Sequence, residues 1–186
     1  MTGSSFNVTF ICTGNRFRSP LAAALLSVQT DGLPVQSSSL GILDLDSAKA
    51  LPEAVQLAKS FGIDLSGHRG RCLARAELDP FDLIVAFEWI HVQAAIVDGQ
   101  ARVERTFTLP ELVGLLEDLP AFEAPRDPAE RARARVEAAH ALRPAGFRRL
   151  RPPEIPDPLG KPMSAQRRIA DELQDLVTRL SRMLFS

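Results

Sequence analysis

The nine residues from Cys12 to Pro20, CTGNRFRSP, place a cysteine and an arginine where both could act on one phosphate group. The Ser19–Pro20 pair after Arg18 is typical of a helix start, with Ser19 as the cap and Pro20 at the first helical position. A glycine-bearing loop that enters a helix can bind an anion with its inward N–H groups. Arg18 can clamp two phosphate oxygens. The same positive environment stabilises a thiolate, the form of Cys12 that attacks phosphorus.

The spacing of Cys12 and Arg18 is not specific by itself. A buried cysteine beside an unrelated arginine is the alternative, because a Cys-x5-Arg pattern often arises by chance. Here the cysteine ends a strand-like run, Asn7–Cys12, and the loop leads into a helix-forming run, LAAALLSVQ. This context favours the catalytic interpretation.

Three Asp-Pro pairs could supply the general acid that a leaving oxygen requires. Asp79 precedes an apolar run and can be explained as part of a turn. Asp127 can be explained as a helix cap. Asp157 lies in IPDPLGKP, a proline-stiffened segment just before the last predicted helix. The alternative for Asp157 is another turn.

Strand-like and helix-like runs alternate along the chain, which predicts a parallel sheet with helices on both faces. The predicted strands are Asn7–Cys12, Val35–Ser39, Phe81–Phe87 and Arg105–Leu109. After the helix that starts at Pro20, the predicted helices are Ala48–Phe61, Trp89–Val97, Glu111–Leu119 and Ser164–Leu184. Gly62 is expected to end the helix before it. Ligands bind at the carboxyl ends of strands in such sheets, where Thr13–Arg18 leaves the first strand.

Residues from about 120 to 151, rich in proline and arginine, interrupt this alternation. Between Arg126 and Arg151, eight arginines and three acidic residues give a local net charge of +5. Asp127 can cap a helix with Pro128 in its first turn, running to about Leu142. We interpret the segment as a partly helical insertion, which could be mobile, in a single domain of residues 1–186. Its arginines are explained better by solvation than by an acidic or phosphorylated partner.

Composition indicates an ordinary globular domain, with 45% hydrophobic and 24% charged residues among 186. The chain lacks an apolar run of about 18 residues and a signal-type N-terminus, so a cytoplasmic protein is expected. The formal net charge of −1 gives no nucleic-acid or membrane signature. Two cysteines cannot form a disulfide scaffold, and zinc-ligand spacings are absent. No metal or cofactor is expected.

The chain resembles the low-molecular-weight protein tyrosine phosphatases, a family that also includes bacterial protein-arginine phosphatases and arsenate reductases. The stretches that carry the resemblance are VTFICTGNRFRSP, GIDLSGHRGRCL, FDLIVAFEWIHV and IPDPLGKP. The resemblance covers most of the chain except roughly residues 120–151. It implies a four-stranded parallel sheet flanked by helices. It also implies that Cys12 is the nucleophile, Arg18 the phosphate clamp and Asp157 the acid.

The resemblance further implies supporting roles around a phosphate loop. Ser19 would donate a hydrogen bond to the thiolate. Asn15 would hold the loop through a polar network with Ser37 and His68, although His68 could instead be an ordinary loop histidine. The loop itself comprises Thr13, Gly14, Asn15, Arg16, Phe17 and Arg18. Ordinary packing or surface positions are expected for Cys72, His91 and His140.

Three departures from the family pattern leave the substrate open. Tyrosine phosphatases usually carry an aromatic ring just after the Asp-Pro pair, whereas this chain has Leu159 and no tyrosine anywhere. The loop position that is aliphatic in tyrosine phosphatases and threonine in arginine phosphatases is Arg16, which could charge the pocket rim or point to solvent. The residue before the clamp, usually a second cysteine, is Phe17, which could line the pocket or pack in the core.

We predict a metal-independent cysteine phosphatase that hydrolyses phosphomonoesters, with phosphotyrosine in proteins as the expected substrate, through a phosphocysteine intermediate. The alternatives are a protein-arginine phosphatase and a phosphate-binding module without turnover. Arsenate reduction is disfavoured because its relay needs two further cysteines, and only Cys72 is present besides Cys12. The expected partner is a phosphorylated protein or a small phosphomonoester, without nucleic acid or membrane, and the oligomeric state is open.

Overall fold

A four-stranded parallel sheet forms the centre of the computed structural model, which describes residues 5–121, 123, 125–144 and 152–186. The spatial order of the strands is β2-β1-β3-β4, and every neighbouring pair is parallel. The strands are β1 Phe6–Cys12, β2 Val35–Gly41, β3 Leu83–Ala86 and β4 Thr106–Thr108. The central strand β3 is buried along its whole length, which explains its continuous apolar sequence.

Helices cover both faces of the sheet, as predicted. They are α1 Arg18–Gln29, α2 Pro52–Lys59, α3 Trp89–Val97, α4 Leu109–Glu117, α5 Pro128–Ala141 and α6 Met163–Phe185. Alternate residues of β1 belong to separate cores: Phe10 packs in the larger core with α1 and α6, whereas Ile11 packs in a smaller core with α3. The predicted three-layer α/β fold is therefore confirmed. The described part of the chain contains no helix of the length and apolarity that a membrane crossing requires.

Four helix starts differ from the sequence prediction: α4 and α6 begin two residues and one residue early, and α1 and α2 differ for reasons that the contacts explain. Helix α1 begins at Arg18, with Phe17 at the cap position, so Ser19 lies in the first turn and is not the cap. Its hydroxyl bonds to the side chains of Cys12 and Asn15 instead. Helix α2 begins at Pro52 rather than Ala48, because the carbonyl of Ala48 accepts a hydrogen bond from the N–H of Gly70.

The arginine-rich segment contributes a helix to the core. Asp127 caps α5 by accepting from the N–H groups of Ala129 and Glu130, as predicted. Two arginines of α5 bind other parts of the chain: Arg133 pairs with Asp82, and Arg131 donates to the carbonyl of Phe185. The buried face of α5 consists of Ala129, Ala132, Val136 and Ala139. Residues 122, 124 and 145–151 of the predicted insertion lie outside the described residues, so its status as an insertion stays a prediction.

Candidate active site

The loop between β1 and α1 leaves its backbone N–H groups available to an anion. The N–H groups of residues 13–17 make no hydrogen bond to any residue that the structure describes. The carbonyls of the same loop are used: Thr13 accepts from Leu43, and Arg16 accepts from Leu51. Since α1 starts directly after the loop, its positive dipole end adds to the potential at the same place. The loop is therefore suited to bind an oxyanion.

Asn15 fixes the shape of this loop. Its backbone has a φ of 52°, in the left-handed region that asparagine tolerates better than most residues. The side-chain oxygen accepts from the N–H of Arg71 at 2.9 Å, and the amide nitrogen donates to Ser19 at 2.8 Å. His68 Nε2 lies 2.7 Å from the Asn15 carbonyl oxygen. Burial lowers the pKa of His68, so a neutral ring donates this bond. The structure thus places Asn15, Ser19 and His68 together.

Ser37 lies elsewhere, and its predicted place in the Asn15 network is wrong. Its hydroxyl donates to the carbonyl of Ala23 at 2.7 Å. In the sheet register Ser37 pairs with Val8, whereas Cys12 pairs with Gly41. At about 3.3 Å per residue, Ser37 lies roughly 13 Å from the strand end where the loop begins.

Gly41, which the sequence did not single out, makes room for the loop. A Cβ at this position would lie 2.9 Å from the backbone nitrogen of Asn15 and 3.0 Å from the carbonyl carbon of Gly14. Such distances force the backbone to move. The loop therefore crosses directly over Gly41 at the end of β2.

Gly41→Ala should displace the loop and lower kcat/KM by about 10–100-fold, since a misplacement of about 1 Å can cost about 100-fold. Steady-state kinetics with an aryl phosphate measures the effect. Gly114→Ala is the matched control, because Gly114 lies in α4 and a Cβ there meets nothing within 4 Å. Equal activity of the two variants would show that the close approach at Gly41 has no functional consequence.

Cys12 is buried at the end of β1, with its sulfur turned toward the loop. The sulfur lies 3.0 Å from the hydroxyl oxygen of Ser19. Asn15 donates to the same hydroxyl oxygen, which leaves the Ser19 proton available for the sulfur. The carbonyl oxygen of Leu40, at 3.2 Å, is the competing acceptor for that proton. The arrangement can stabilise a thiolate.

Arg18 is 1% exposed and is held from several sides. Its Nη1 donates to Glu88 and to the carbonyl oxygen of Ile155. Its Nη2 donates to Asp157 at 2.7 Å and to the Thr13 hydroxyl at 3.2 Å. Among the described residues, Nε has no hydrogen-bond partner, so it is available to a bound anion. Sequence reasoning missed Glu88 because its 70-residue separation from Arg18 gives no local signal.

Asp157 reaches the site because the segment before it is tied to the sheet. The N–H of Ile155 donates to the carbonyl of Phe87, directly after β3. The side chain of Asp157 is 40% exposed, and its second oxygen accepts from the N–H of Leu159. The other Asp-Pro aspartates lie elsewhere: Asp79 pairs with Arg105, and Asp127 caps α5. The structure thus brings together the predicted nucleophile, clamp and acid.

A small cavity of about 90 Å³ opens above Cys12. Its side walls are mostly apolar and are formed by Phe17, Leu43, Leu45, Leu51 and Leu159. Phe17 is 4% exposed, so it both lines the cavity and packs in the core. Arg16 also lines the cavity, and its Nε donates to the carbonyl of Lys49. Within the described residues, no group of three or more histidine, cysteine, aspartate or glutamate side chains could hold a metal ion.

The sequence matches one protein-family model over more than half of its length. Residues 7–137 match the model of the low molecular weight phosphotyrosine protein phosphatases. The chain belongs to this family.

Relatives within the family differ in the substrate that their names state. A protein-arginine-phosphatase of Geobacillus stearothermophilus is 26% identical over 180 residues, covering 96% of each chain. A probable low molecular weight protein-tyrosine-phosphatase of Ralstonia nicotianae is 32% identical over 105 residues, covering 56% of this chain and 71% of the relative. A solved low molecular weight protein tyrosine phosphatase from T. tengcongensis aligns with a TM-score of 0.70 at 26% identity, covering 95% and 97%. These relatives are phosphoric monoester hydrolases or protein-arginine phosphatases, and their names do not decide the substrate of this chain.

Cys72 lies too far from Cys12 to form a disulfide with it. Cys12 pairs with Gly41, and Gly41 is bridged on its other side to Cys72. Two interstrand spacings put the Cα atoms of the cysteines about 9–10 Å apart. A disulfide needs less than about 7 Å. The backbone of Gly14 and Asn15 crosses directly over Gly41, the residue that separates the two cysteines in the sheet.

Mild peroxide should therefore inactivate the protein without forming a Cys12–Cys72 disulfide, because the sulfenic acid at Cys12 has no neighbouring thiol. Peptide mass spectrometry after peroxide treatment measures this. Cys72→Ser should lose activity at the same rate as the unmodified chain and recover equally with a thiol. A Cys12–Cys72 crosslink would contradict the placement of the two cysteines.

Proposed function

We propose that this protein is a metal-independent cysteine phosphatase that hydrolyses phosphotyrosine in proteins through a phosphocysteine intermediate. The observation that carries the proposal is the convergence of Cys12, Arg18 and Asp157 on one loop whose N–H groups have no partner among the described residues. The loop and Arg18 supply the positive charge that a metal ion would otherwise provide. The predicted cytoplasmic location fits this chemistry, because reactive thiols persist in reducing compartments.

The reaction proceeds in two steps. The Cys12 thiolate attacks phosphorus and forms an S–P bond while the bond to the leaving oxygen breaks, and protonated Asp157 gives that oxygen its proton. Water then attacks the phosphocysteine, the S–P bond breaks, and ionised Asp157 accepts the proton of the water. Arg18 and the loop N–H groups stabilise the phosphoryl oxygens in both transition states.

The walls of the cavity favour a phenol over a guanidine as leaving group. A phenyl ring can contact the leucines that surround the opening without leaving a polar group unpaired. A phosphorylated guanidine carries N–H donors, and each buried donor without an acceptor costs about 1–3 kcal/mol. Asp157 is the one carboxylate among the described lining residues, and Arg18 already binds it. Arg16 at the rim adds a positive charge, which would repel a cationic guanidinium.

A protein-arginine phosphatase is the second candidate. The observation that favours it is the relative of that name, which aligns over 96% of both chains. The leucine walls and Arg16 argue against it in this chain.

A comparison of kcat/KM for two peptides of matched sequence, one with phosphotyrosine and one with phosphoarginine, tests the proposal. We expect phosphotyrosine to be preferred by at least about tenfold, the effect of one buried unpaired donor. The reverse preference would establish the second candidate. Binding of both peptides without turnover would indicate a phosphate-binding module.

A further inference from the structure

His91 is a buried histidine whose two ring nitrogens have separate partners. Its side chain is 0% exposed, which fits the packing position that was one of the two alternatives predicted from the sequence. Nδ1 accepts a hydrogen bond from the backbone N–H of Glu88 at 3.1 Å. Because Nδ1 is an acceptor, the ring proton lies on Nε2. Burial and the nearby charge of Arg18 lower the pKa of His91 to about 3, so the ring is uncharged near neutral pH.

The Nε2 proton is directed at the hydroxyl of Thr13, the first residue after Cys12. The Nε2–Oγ1 distance is 3.0 Å. Arg18 Nη2 donates to the same oxygen at 3.2 Å. A hydroxyl group has two acceptor positions and one proton, so both acceptor positions of Thr13 are filled. Thr13 lines the cavity beside Cys12, and its proton is left to point at a bound anion.

We propose that the Thr13 hydroxyl donates a hydrogen bond to the transferring phosphoryl group, and that His91 is the positioning residue that orients it. The proposal rests on the proposed phosphatase function. Asp157 accepts from the same Arg18 Nη2, so its carboxylate is a nearby competitor for the Thr13 proton. Without the bond from His91, the hydroxyl can rotate its proton to that carboxylate and present a lone pair to the anion. His91 then acts through Thr13, without touching the substrate.

A capping role for His91 can be separated from this positioning role by substitution. His91→Asn keeps an acceptor for the Glu88 N–H but does not reach Thr13. His91→Gln keeps a donor at the reach of Nε2 but loses the acceptor near Nδ1. The proposal predicts opposite effects of the two substitutions on stability and activity. The Asn variant should keep the Tm of the unmodified chain but lose activity. The Gln variant should have a lower Tm but keep more activity than the Asn variant.

The experiment measures kcat/KM for an aryl phosphate and the Kd of orthophosphate for each variant. Thr13→Val should lower kcat/KM by about 10–100-fold, the effect of one hydrogen bond to a charged group. Thr13→Ser should retain most of the activity. His91→Asn should lose about as much as Thr13→Val, and the double variant should lose no more than Thr13→Val alone.

Additive losses in the double variant would overturn the proposal, as would full activity of His91→Asn. Activity that follows Tm in both His91 variants would also overturn it, because a capping role alone would then explain His91. Orthophosphate Kd keeps this test independent of turnover. If the unmodified chain hydrolyses no phosphomonoester, the proposed function fails, but weaker orthophosphate binding by Thr13→Val and His91→Asn would still support the orientation of Thr13.

Discussion

Cys12→Ser should lower kcat by a factor of about 10⁴ or more, whereas the binding of orthophosphate should remain. The loss is expected because a serine hydroxyl is a far weaker nucleophile than a thiolate. Where several catalytic residues act together, removing the nucleophile lowers kcat by about 10⁴–10⁶-fold. Binding remains because the loop N–H groups and Arg18 are unchanged. Steady-state kinetics and calorimetric titration with orthophosphate measure the two quantities.

Cys72→Ser is the matched control for this substitution. Both cysteines are free and buried, and Cys72 lies beyond Gly41, outside the cavity lining. We expect Cys72→Ser to keep kcat. Substantial activity in Cys12→Ser, or an equal loss in both variants, would show that Cys12 is not the nucleophile.

Asp157→Asn should lower kcat by about 10²–10⁴-fold on an aryl phosphate with a basic leaving oxygen, the usual contribution of a general acid. The amide keeps the size of the side chain and an oxygen for Arg18 Nη2, which now binds Asp157 at 2.7 Å. An activated leaving group needs less protonation, so the first step should suffer less with such a substrate. Part of the loss should remain for both substrates, because Asp157 also serves as the base in the second step.

Asp127→Asn provides the comparison, because Asp127 stands in the same Asp-Pro context but caps α5. Since asparagine is also a good cap residue, we expect unchanged kcat and a loss of stability of at most about 1 kcal/mol. Thermal unfolding and kinetics on both variants check this. A large kcat loss in Asp127→Asn with little loss in Asp157→Asn would assign the acid to the arginine-rich segment.

The parts of the structure that were predictable depend on local signals. Helix α3 has the predicted bounds, Trp89–Val97, and α5 has the predicted cap, because caps and periodicity involve residues close in sequence. The association of Cys12 with Arg18 follows from a single strand, loop and helix. Asp157 could be predicted as part of the same site from its context in IPDPLGKP, although it lies 139 residues from Arg18 in the sequence.

The parts that were missed depend on register and on long-range contacts. Gly41 lies beside the loop because it is opposite Cys12 in the sheet. The prediction for Ser37 is wrong because Ser37 lies four residues before Gly41 on the same strand. Glu88 and His91 bind loop residues more than 60 positions away, which periodicity cannot reveal. Helix α2 starts late because Ala48 pairs with Gly70 across the chain, a tertiary contact that overrides the helical pattern.

The phosphocysteine intermediate is the most direct test of the whole account. In Asp157→Asn with an activated aryl phosphate, the first step stays fast while hydrolysis of the intermediate slows. Rapid quenching in acid followed by peptide mass spectrometry should show a phosphoryl adduct on Cys12, in step with a burst of released phenol of about one equivalent per site. Turnover without any adduct, or an adduct on another residue, would contradict the assignment of Cys12 as the nucleophile.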